Sequence, residues 1–471
     1  MPDPERAFVH IYGASPNAFW LDSSAAGERG RFSFIGDSQG PLSAVIAYDL
    51  DAGRVRVERH GQVEHYDESI FDFLDRELGQ LRGLTEALPF DFDCGFAGYF
   101  GYELKAECDG DAAHRATTPD AAFVFADRLI AFDHADQATY VLCLGEADGG
   151  EETGEWIEET SARLANLPPL TEPEPYQGEP FELGLRRSRR RYREDIEACK
   201  RYLTAGHSYE ICLTNKLLAR PAPDPLALYR SLRRANPAPF AAYLRFGDLA
   251  VLSSSPERFL AVDRAGRAEA RPIKGTSRRA ANEEEDARLA AALGTDEKNR
   301  AENVTIVDLL RNDLGRVCKA GTVEVPELMR VETYETVHQL VSSVHGRLRE
   351  EVGPVECIRA CFPPGSMTGA PKLRTMEIID ELEGEARGPY SGAIGYLGLG
   401  GACDLSVAIR TLVIDAEATT VGAGGAIVVD SEPETEIEEM LLKAAAAAAA
   451  MQFPLQERRA GWKREPGKPH F

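Results

Sequence analysis

A lysine and a glutamate lie near each other in the chain, around a glycine that would let a small molecule come close. The lysine is Lys274, in Arg271-Pro272-Ile273-Lys274-Gly275-Thr276, and the glutamate is Glu257, in Ser254-Ser255-Pro256-Glu257-Arg258. Glycine allows close approach of the backbone, and a lysine that is removed from water has a lowered pKa, so that its amine can act as a nucleophile. The pair indicates covalent chemistry, although a lysine taken alone is more often a solvated surface charge.

Three glutamates could hold a divalent cation. Glu302 lies in a run with helical periodicity, and Glu436 and Glu439 are three residues apart, a spacing that places both side chains on one helix face. Carboxylate oxygens completed by water and substrate suit Mg²⁺. The alternative is a solvated helix face on which Glu439 pairs with Lys443 at i,i+4.

Three further features could bind a substrate or transfer its protons. Arg410 ends the apolar β-type run Val407-Ala408-Ile409 and needs a partner there, either a substrate carboxylate or a structural salt bridge. His338 suits acid–base chemistry near neutral pH, or it is a satisfied core residue. The run Gly422-Ala423-Gly424-Gly425-Ala426 could present backbone N–H groups to a carboxylate, or it is a tight turn.

The composition argues against several classes of protein. With 471 residues, 43% of them hydrophobic, the chain can form a large core. Its formal net charge of -24 disfavours nucleic acid and anionic membranes as partners, so an anionic substrate would need local basic groups. The absence of a signal-like segment and of a long apolar run predicts a cytoplasmic protein. The nine cysteines contain no Cys-x-x-Cys pair and are expected to be reduced core thiols.

The elements that must position these residues are expected on both sides of a proline- and glutamate-rich stretch, residues 168–184, which reads as an extended linker. The linker separates an N-terminal region, residues 1–167, from a C-terminal region, residues 185–454. Residues 455–471 are expected to form a mobile basic tail. Short β-type runs and irregularly interspersed helical runs together predict an α+β fold with antiparallel sheets.

Local patterns in the C-terminal region predict particular helices and strands. Ser188 is expected to cap a helix whose apolar residues recur at helical spacing. A strand is expected over residues 405–414, and a long helix over residues 434–450, which end in seven alanines.

Taken in order, the runs of the C-terminal region resemble the chorismate-utilising enzymes, the family that includes component I of anthranilate synthase and of aminodeoxychorismate synthase. The motifs that carry the resemblance are Ser-Pro-Glu-Arg-Phe (255–259), Pro-Ile-Lys-Gly-Thr (272–276), Arg-Ala-Glu-Asn (300–303), Ile-Val-Asp-Leu-Leu-Arg-Asn-Asp (306–313), Val-His-Gln-Leu-Val-Ser (337–342), Pro-Gly-Ser-Met-Thr-Gly-Ala-Pro-Lys (364–372), Gly-Ala-Ile-Gly-Tyr (392–396) and Asp-Ser-Glu-Pro-Glu (430–434). So many motifs in one order make a chance match very improbable.

The resemblance implies two large facing antiparallel β-sheets with helices packed outside, like anthranilate synthase component I, and Mg²⁺-bound chorismate in the cleft between them. It assigns the metal to Glu302, Glu436 and Glu439. It assigns the substrate carboxylates to Arg410, Tyr396 and the backbone of Gly424 and Gly425, lines the site with Thr276 and Lys443, and puts His338 near the reacting ring.

Position 274 distinguishes the activities of these relatives. A lysine there resembles the enzymes that aminate chorismate at C4, giving 4-amino-4-deoxychorismate for 4-aminobenzoate and folate synthesis. The resemblance implies that Glu257 protonates the leaving C4 hydroxyl, that Lys274 adds at C2, and that ammonia then adds at C4. Anthranilate synthases have alanine at this position, which disfavours component I of anthranilate synthase. Glu210 stands where water-adding relatives carry a lysine, which argues against water addition.

The resemblance also implies a partner. The sequence contains no Gly-x-Cys-x-Gly nucleophile elbow, so ammonia is expected from a separate glutaminase subunit (component II) in a heterodimer, in contact with the N-terminal region. Leu21-Asp22-Ser23-Ser24 stands where the family has a tryptophan-binding motif, and Asn299 where anthranilate-type relatives have an acid. A non-catalytic, chorismate-binding regulatory subunit is disfavoured because the candidate site residues are all present.

Overall fold

The computed structural model describes residues 1–24, 30–81, 88–145, 150–171, 184–219, 224–334 and 337–449. Most of the predicted linker, residues 172–183, and the whole predicted tail, residues 455–471, lie outside the described residues. Within the described ranges, no helix is both long and apolar enough to cross a membrane.

Two large antiparallel sheets dominate the structure. The first has 11 strands: β10 (Gly184–Leu185), β11 (Glu210–Ala219), β23 (Thr419–Ile427), β22 (Thr411–Ile414), β13 (Leu249–Ser255), β12 (Phe240–Phe246), β1 (Asn17–Asp22), β2 (Phe32–Asp37), β8 (Arg128–Asp133) and β9 (Ala138–Cys143) in that order, with β19 (Gly369–Ala370) paired to β11. The second has 12: β16 (Ile273–Arg278), β18 (Val337–Arg347), β15 (Arg267–Arg271), β14 (Arg258–Val262), β21 (Cys403–Val407), β20 (Ala393–Gly398), β6 (Gly95–Phe100), β7 (Ala121–Ala126), β3 (Ala44–Asp49), β4 (Arg54–Arg59) and β5 (Gln62–Tyr66), with β17 (Glu324–Thr333) paired to β18.

Helices pack around these sheets. They are α1 (Pro4–Ile11), α2 (Ile70–Leu81), α3 (Glu151–Ala165), α4 (Arg189–Thr204), α5 (Pro225–Ala235), α6 (Glu283–Thr295), α7 (Glu297–Gly315), α8 (Pro354–Cys361), α9 (Lys372–Glu383) and α10 (Pro433–Ala449), with short 3₁₀ turns at Tyr102–Glu107 and Gly365–Met367. Ser188 caps α4 by accepting a hydrogen bond from the backbone N–H of Arg191, as predicted.

Alternation along the strands of the first sheet divides its apolar side chains between two cores. On β12, Leu244 belongs to the core shared with the second sheet, whereas Tyr243 belongs to the core formed with helices on the outer face. Tyr99 of the second sheet and Phe246 of the first are in contact across the interior, with ring centroids 6.0 Å apart. The predicted α+β fold of two antiparallel sheets with helices outside is therefore confirmed.

Strands from the N-terminal region extend both sheets. β1, β2, β8 and β9 belong to the first sheet, and the consecutive strands from β3 to β7 belong to the second. The two regions therefore share both sheets, and the boundaries drawn around the linker stay a prediction. All nine cysteines are free, and the eight that are buried confirm the prediction of core thiols, whereas Cys143 is only partly buried.

The chain crosses between the sheets at two places that matter for the candidate site. β13 of the first sheet leads through Pro256 and Glu257 into β14 of the second, and β21 of the second leads through residues 408–410 into β22 of the first. The single strand predicted over residues 405–414 is therefore wrong. Arg410 has a φ of 51°, a left-handed conformation that interrupts a strand and lets the chain change sheets.

The glycine-rich run also differs from one of its two interpretations. Residues 422–426 are not a tight turn but the middle of β23, where Gly424 pairs with Thr214 and Gly425 with Leu213 of β11. A Cβ atom at Gly424 would lie 2.3 Å from the carbonyl oxygen of Leu213, so only glycine fits this close approach of two backbones.

Candidate active site

Lys274 and Glu210 join the two sheets. Lys274 is the second residue of β16, and Glu210 is the first residue of β11 in the other sheet. The Nζ atom of Lys274 lies 2.5 Å from Oε1 of Glu210, and both residues are buried. The candidate nucleophile is thus fixed at the interface of the sheets, as a site between them requires.

Gly275 shapes the backbone beside Lys274. Its φ is 89°, in the left-handed region that favours glycine, and the pairing of β16 with β18 shifts register at this point. A Cβ atom here would lie 2.7 Å from Cγ of Asn299. Asn299, which departs from the acid of anthranilate-type relatives, therefore packs directly on the glycine that follows the lysine.

The protonation state of Lys274 differs from the one expected from sequence. Burial by itself lowers the pKa of Lys274, but the negative charges of Glu210 and Glu302 together outweigh it. The net result is a pKa above the ordinary value of lysine, so the prediction of a lowered pKa is wrong. In the resting protein the side chain is an ammonium ion, which must lose a proton before it can attack.

Glu257 lies at the first crossing of the chain. Burial raises its pKa from 4.5 to about 7, and a hydrogen bond from Ser366 and the charge of Lys274 offset only part of that effect. Its backbone carbonyl accepts a hydrogen bond of 3.0 Å from the N–H of Val407, in the strand that leads to the second crossing. A carboxyl that remains protonated near neutral pH is suited to donating a proton.

Arg410 lies at the second crossing, beside Glu257. The backbone carbonyl of Arg410 accepts a hydrogen bond of 3.2 Å from Ser254, three residues before Glu257. Burial lowers the pKa of the arginine, and the charge of Glu257 counteracts this only partly. Arg410 forms no ion pair with any residue in the part of the chain that the structure describes. That arrangement favours the substrate-carboxylate interpretation over a structural salt bridge.

The three candidate metal ligands lie on two helices, and two of them meet the glycine-rich strand. Glu302 is on α7, and Glu436 and Glu439 are on α10. A Cβ atom on Gly425 would lie 3.4 Å from Oε2 of Glu436 and 3.8 Å from Oε1 of Glu439. Burial raises the pKa of Glu302 to about 7, which the charge of Lys274 opposes. Because burial disfavours its charged form, the Glu302 carboxylate needs a nearby positive charge.

A lysine supplies part of that charge. Nζ of Lys298, on α7, lies 2.8 Å from Oε1 of Glu436 and 3.9 Å from Oε1 of Glu302. Among the described residues, no three His, Cys, Asp or Glu side chains are grouped closely enough to hold a metal. Carboxylate oxygens are ligands that Mg²⁺ accepts, and the ammonium group of Lys298 already contacts the carboxylates of Glu302 and Glu436 where a cation could lie.

Lys443 contacts both the glycine-rich strand and a candidate metal ligand, and Thr276 lies two residues after Lys274 on β16. Nζ of Lys443 donates hydrogen bonds to the carbonyl oxygen of Gly424, at 3.0 Å, and to Oε1 of Glu439, at 2.7 Å. The exposed Glu439–Lys443 pair, which was the alternative to a metal site, is therefore present, and Lys443 attaches it to the glycine-rich strand. Thr276 pairs with Gln339 across β16 and β18.

His338 is not brought into this group. Since Thr276 pairs with Gln339 and Ser277 pairs with His338, the histidine lies on the opposite face of the sheet from Thr276. Its ring nitrogens are taken by Oδ1 of Asp286, at 3.0 Å, and by the hydroxyl of Thr333, at 2.9 Å. This environment matches a satisfied core histidine.

Tyr396 also lies elsewhere. Its ring stacks on Phe92, with ring centroids 4.5 Å apart, and lines a cavity of about 440 Å³. Asp22 and Ser23, from the stretch that resembles a tryptophan-binding motif, line the same cavity. Tyr396 therefore belongs to this cavity and not to the group of residues around Lys274.

Sequence reasoning missed three residues of the site. Glu210 was considered only in relation to water addition, yet it is the partner of Lys274. Ser366 lies in the quoted motif at 364–372, but only the fold shows its hydrogen bond to Glu257. Lys298 carries no sequence signal beyond its position four residues before Glu302.

The sequence as a whole identifies the class of protein to which this fold and site belong. Residues 17–449 match the chorismate binding enzyme family, and the chain belongs to that family. It is 49% identical to an aminodeoxychorismate synthase of Streptomyces griseus over 97% of the chain, but it spans only 64% of that relative's length.

Two further comparisons involve anthranilate synthase. The chain is 35% identical to an anthranilate synthase component 1 of Synechocystis sp., covering 94% of the chain and 92% of the relative. The structure is similar to the crystal structure of anthranilate synthase component I from Streptococcus pneumoniae TIGR4, with a TM-score of 0.76 and 29% identity, covering 90% of this chain and 93% of that one.

Proposed function

We propose that the chain is the catalytic component of an aminodeoxychorismate synthase, which aminates chorismate at C4 in a Mg²⁺-dependent reaction. The observation that carries the proposal is a buried lysine, Lys274, at the interface of the sheets, whose charge acts on a buried carboxyl of raised pKa, Glu257. The Streptomyces relative with this activity in its name supports the proposal.

Basic and backbone groups around the cleft suit a substrate with two carboxylates. Arg410, which has no ion-pair partner in the described part of the chain, is proposed to bind one of them. Lys443, Thr276 and the backbone of Gly424 and Gly425 are proposed to line the remainder of the site. These local groups offset the repulsion that a net charge of -24 exerts on an anion.

In the first half of the proposed reaction, Lys274 forms a bond to C2 and the C4 hydroxyl leaves. Glu257 donates its proton to the leaving oxygen, which departs as water. The lone pair of the neutral lysine amine forms the N–C2 bond, and both ring double bonds shift by one position towards C4. Because the lysine occupies C2, the carbon open to a second nucleophile is C4.

In the second half, ammonia adds at C4 and the lysine is released. The double bonds shift back as the N–C2 bond breaks, and the electron pair of that bond returns to Lys274. Glu257, now a carboxylate, accepts a proton from the new C4 ammonium group. The balance is chorismate plus ammonia giving 4-amino-4-deoxychorismate plus water.

Mg²⁺ is proposed to be held by Glu302, Glu436 and Glu439, where it would neutralise a substrate carboxylate and polarise the ring. Lys298 must release Glu436 for this to occur, since its ammonium hydrogen-bonds that carboxylate. We assign His338 a supporting role, because it ties β18 to α6 through Asp286.

The proposed setting follows from the reaction. Ammonia would come from a separate glutaminase subunit that contacts the N-terminal region, and the product would feed 4-aminobenzoate synthesis in the cytoplasm. Component I of anthranilate synthase is the second candidate, supported by the full-length similarity to the Synechocystis relative. Lysine at position 274 speaks against it.

A product assay tests the proposal. The purified chain is incubated with chorismate, Mg²⁺ and ammonium, and products are identified by mass spectrometry with and without an added aminodeoxychorismate lyase. We expect aminodeoxychorismate from the wild type, none from Lys274→Ala, and wild-type product from Lys319→Ala, a surface lysine paired with Glu350. Anthranilate as the wild-type product would refute the assignment.

A further inference from the structure

Lys274 has fewer hydrogen-bond partners than two other lysines that are wholly or mostly buried, Lys105 and Lys372. Nζ of Lys372 donates to Asp313 at 2.6 Å and to two backbone carbonyls, at 2.8 and 3.1 Å. Nζ of Lys105 donates to Asp380 and to the carbonyl of Asp111. Lys274 has one hydrogen-bond partner among the described residues, Glu210. Its ammonium therefore depends on a single carboxylate.

Glu210 is also incompletely satisfied. Its Oε1 accepts the hydrogen bond from Lys274, but its buried Oε2 has no hydrogen-bond partner within the described chain. Glu383 gives a contrast, because it accepts hydrogen bonds from the guanidinium of Arg387 and from both the N–H and the hydroxyl of Thr214. The Glu210 carboxylate thus keeps one buried oxygen without a donor, whereas both oxygens of Glu383 accept hydrogen bonds.

We propose that Glu210 is the catalytic base that removes the proton from Lys274 and so frees the amine for attack on chorismate. This inference rests on the proposed function and extends it by one residue. An arginine in place of the lysine could not serve, since a guanidinium does not release its proton in proteins. The Glu383–Arg387 pair is structural by this criterion, whereas the Glu210–Lys274 pair is built to exchange a proton.

The proton transfer balances within the pair. One N–H bond of Lys274 breaks and an O–H bond forms on Glu210, so an ion pair becomes a neutral amine and a neutral acid. No net charge enters or leaves the buried site, which avoids the large desolvation penalty of creating a lone ion there. When the lysine is expelled from C2, its amine takes the proton back from Glu210.

The other charged groups near the pair do not compete for this role. Glu302 on α7 acts on Lys274 through its charge, and Cys212 on β11 does so more weakly. Glu257 must hold its own proton for the leaving hydroxyl, and Lys443 on α10 acts on Glu257 as a further positive charge. Of the described carboxylates, Glu210 alone hydrogen-bonds the lysine.

The test compares the wild type with Glu210→Gln, which keeps a hydrogen-bond acceptor but cannot accept the proton. The first readout is the rate at which acetic anhydride labels Lys274, followed by peptide mass spectrometry without any substrate. We expect wild-type labelling to change little between pH 7 and 9, because the proton passes within the pair, and labelling of the variant to be slower at pH 7 and to rise about tenfold per pH unit, because solvent must take the proton. Labelling of Lys372, a partly buried lysine paired with Asp313, is the control and should not change.

The second readout is turnover against pH at constant free ammonia. We expect Glu210→Gln to be at least about a hundredfold slower at pH 7 and to recover about tenfold per pH unit above it, because solvent must now remove the proton. A wild type that makes no aminodeoxychorismate would overturn the proposed function, whereas labelling would still report on Glu210. Unchanged labelling, or an activity loss that is equal at every pH, would overturn the inference and leave Glu210 a positioning residue.

Discussion

The protonated state of Glu257 can be tested through stability, independently of any reaction. Because burial raises the pKa of Glu257 from 4.5 to about 7, the folded chain binds this proton more tightly than the unfolded chain does. The destabilising contribution is nearly absent below pH 4.5, grows as the pH rises towards 7, and is complete above 7. Glu257→Gln mimics the neutral acid at every pH and should remove this contribution.

The size of the effect follows from the same change. A rise from 4.5 to about 7 corresponds to about 3 kcal/mol at 1.36 kcal/mol per pKa unit. For cooperative unfolding of 471 residues, at about 2 cal/mol/K per residue, the entropy of unfolding is about 1 kcal/mol/K. We therefore expect Glu257→Gln to unfold about 3 °C above the wild type at pH 8.5 and within about 1 °C of it at pH 5.

Differential scanning calorimetry at these two pH values measures the effect. Glu350→Gln is a matched control, because that carboxyl is 90% exposed and the same substitution there should shift the midpoint equally at both pH values. If the difference between Glu257→Gln and the wild type does not change with pH, the carboxyl is not held protonated. The general-acid assignment would then lose its physical basis.

Three further predictions concern other parts of the site. Lys298→Met should tighten Mg²⁺ binding about two- to fivefold in isothermal titration calorimetry, because no ammonium then competes for Glu436; weaker binding would contradict this. Arg410→Lys should raise KM for chorismate about tenfold or more with a smaller change in kcat, and the reverse pattern in steady-state kinetics would refute carboxylate binding. Gly424→Ala should lower the thermal midpoint by about 1–3 °C, since its Cβ meets a backbone carbonyl, whereas Gly79→Ala, in open space on α2, should raise it slightly; equal midpoints would contradict the packing argument.

Much of the local structure could be predicted from the sequence because its cause is local. Ser188 caps a helix through its own side chain, and the alanine-rich run from residue 434 forms α10 at nearly the predicted bounds. The convergence of Glu436 and Glu439 follows from helical spacing alone. Their proposed role as metal ligands came instead from the family resemblance that the ordered motifs carry.

The remaining features depend on contacts between distant parts of the chain. The partnership of Glu210 with Lys274 joins residues 64 positions apart on different sheets, so no pattern in the sequence announces it. The pKa of Lys274 was expected to fall because burial was considered without its counter-ions. The family resemblance placed His338 near the reacting ring, whereas strand register turns it to the face of the sheet opposite Thr276.

Because the proposed reactive groups come from both sheets and from the two crossings, their separation depends on the distance between the sheets. Lys274 and Glu210 approach from opposite sheets, and Glu257 and Arg410 lie where the chain passes from one sheet to the other. Side chains such as Tyr99 and Phe246 pack against each other between the sheets. The N-terminal strands thus supply none of the proposed catalytic groups, yet they extend both sheets and contribute contacts between them, including that of Tyr99. A chain shortened to residues 185–454 would keep every proposed reactive side chain but would lose the N-terminal strands and their contacts between the sheets.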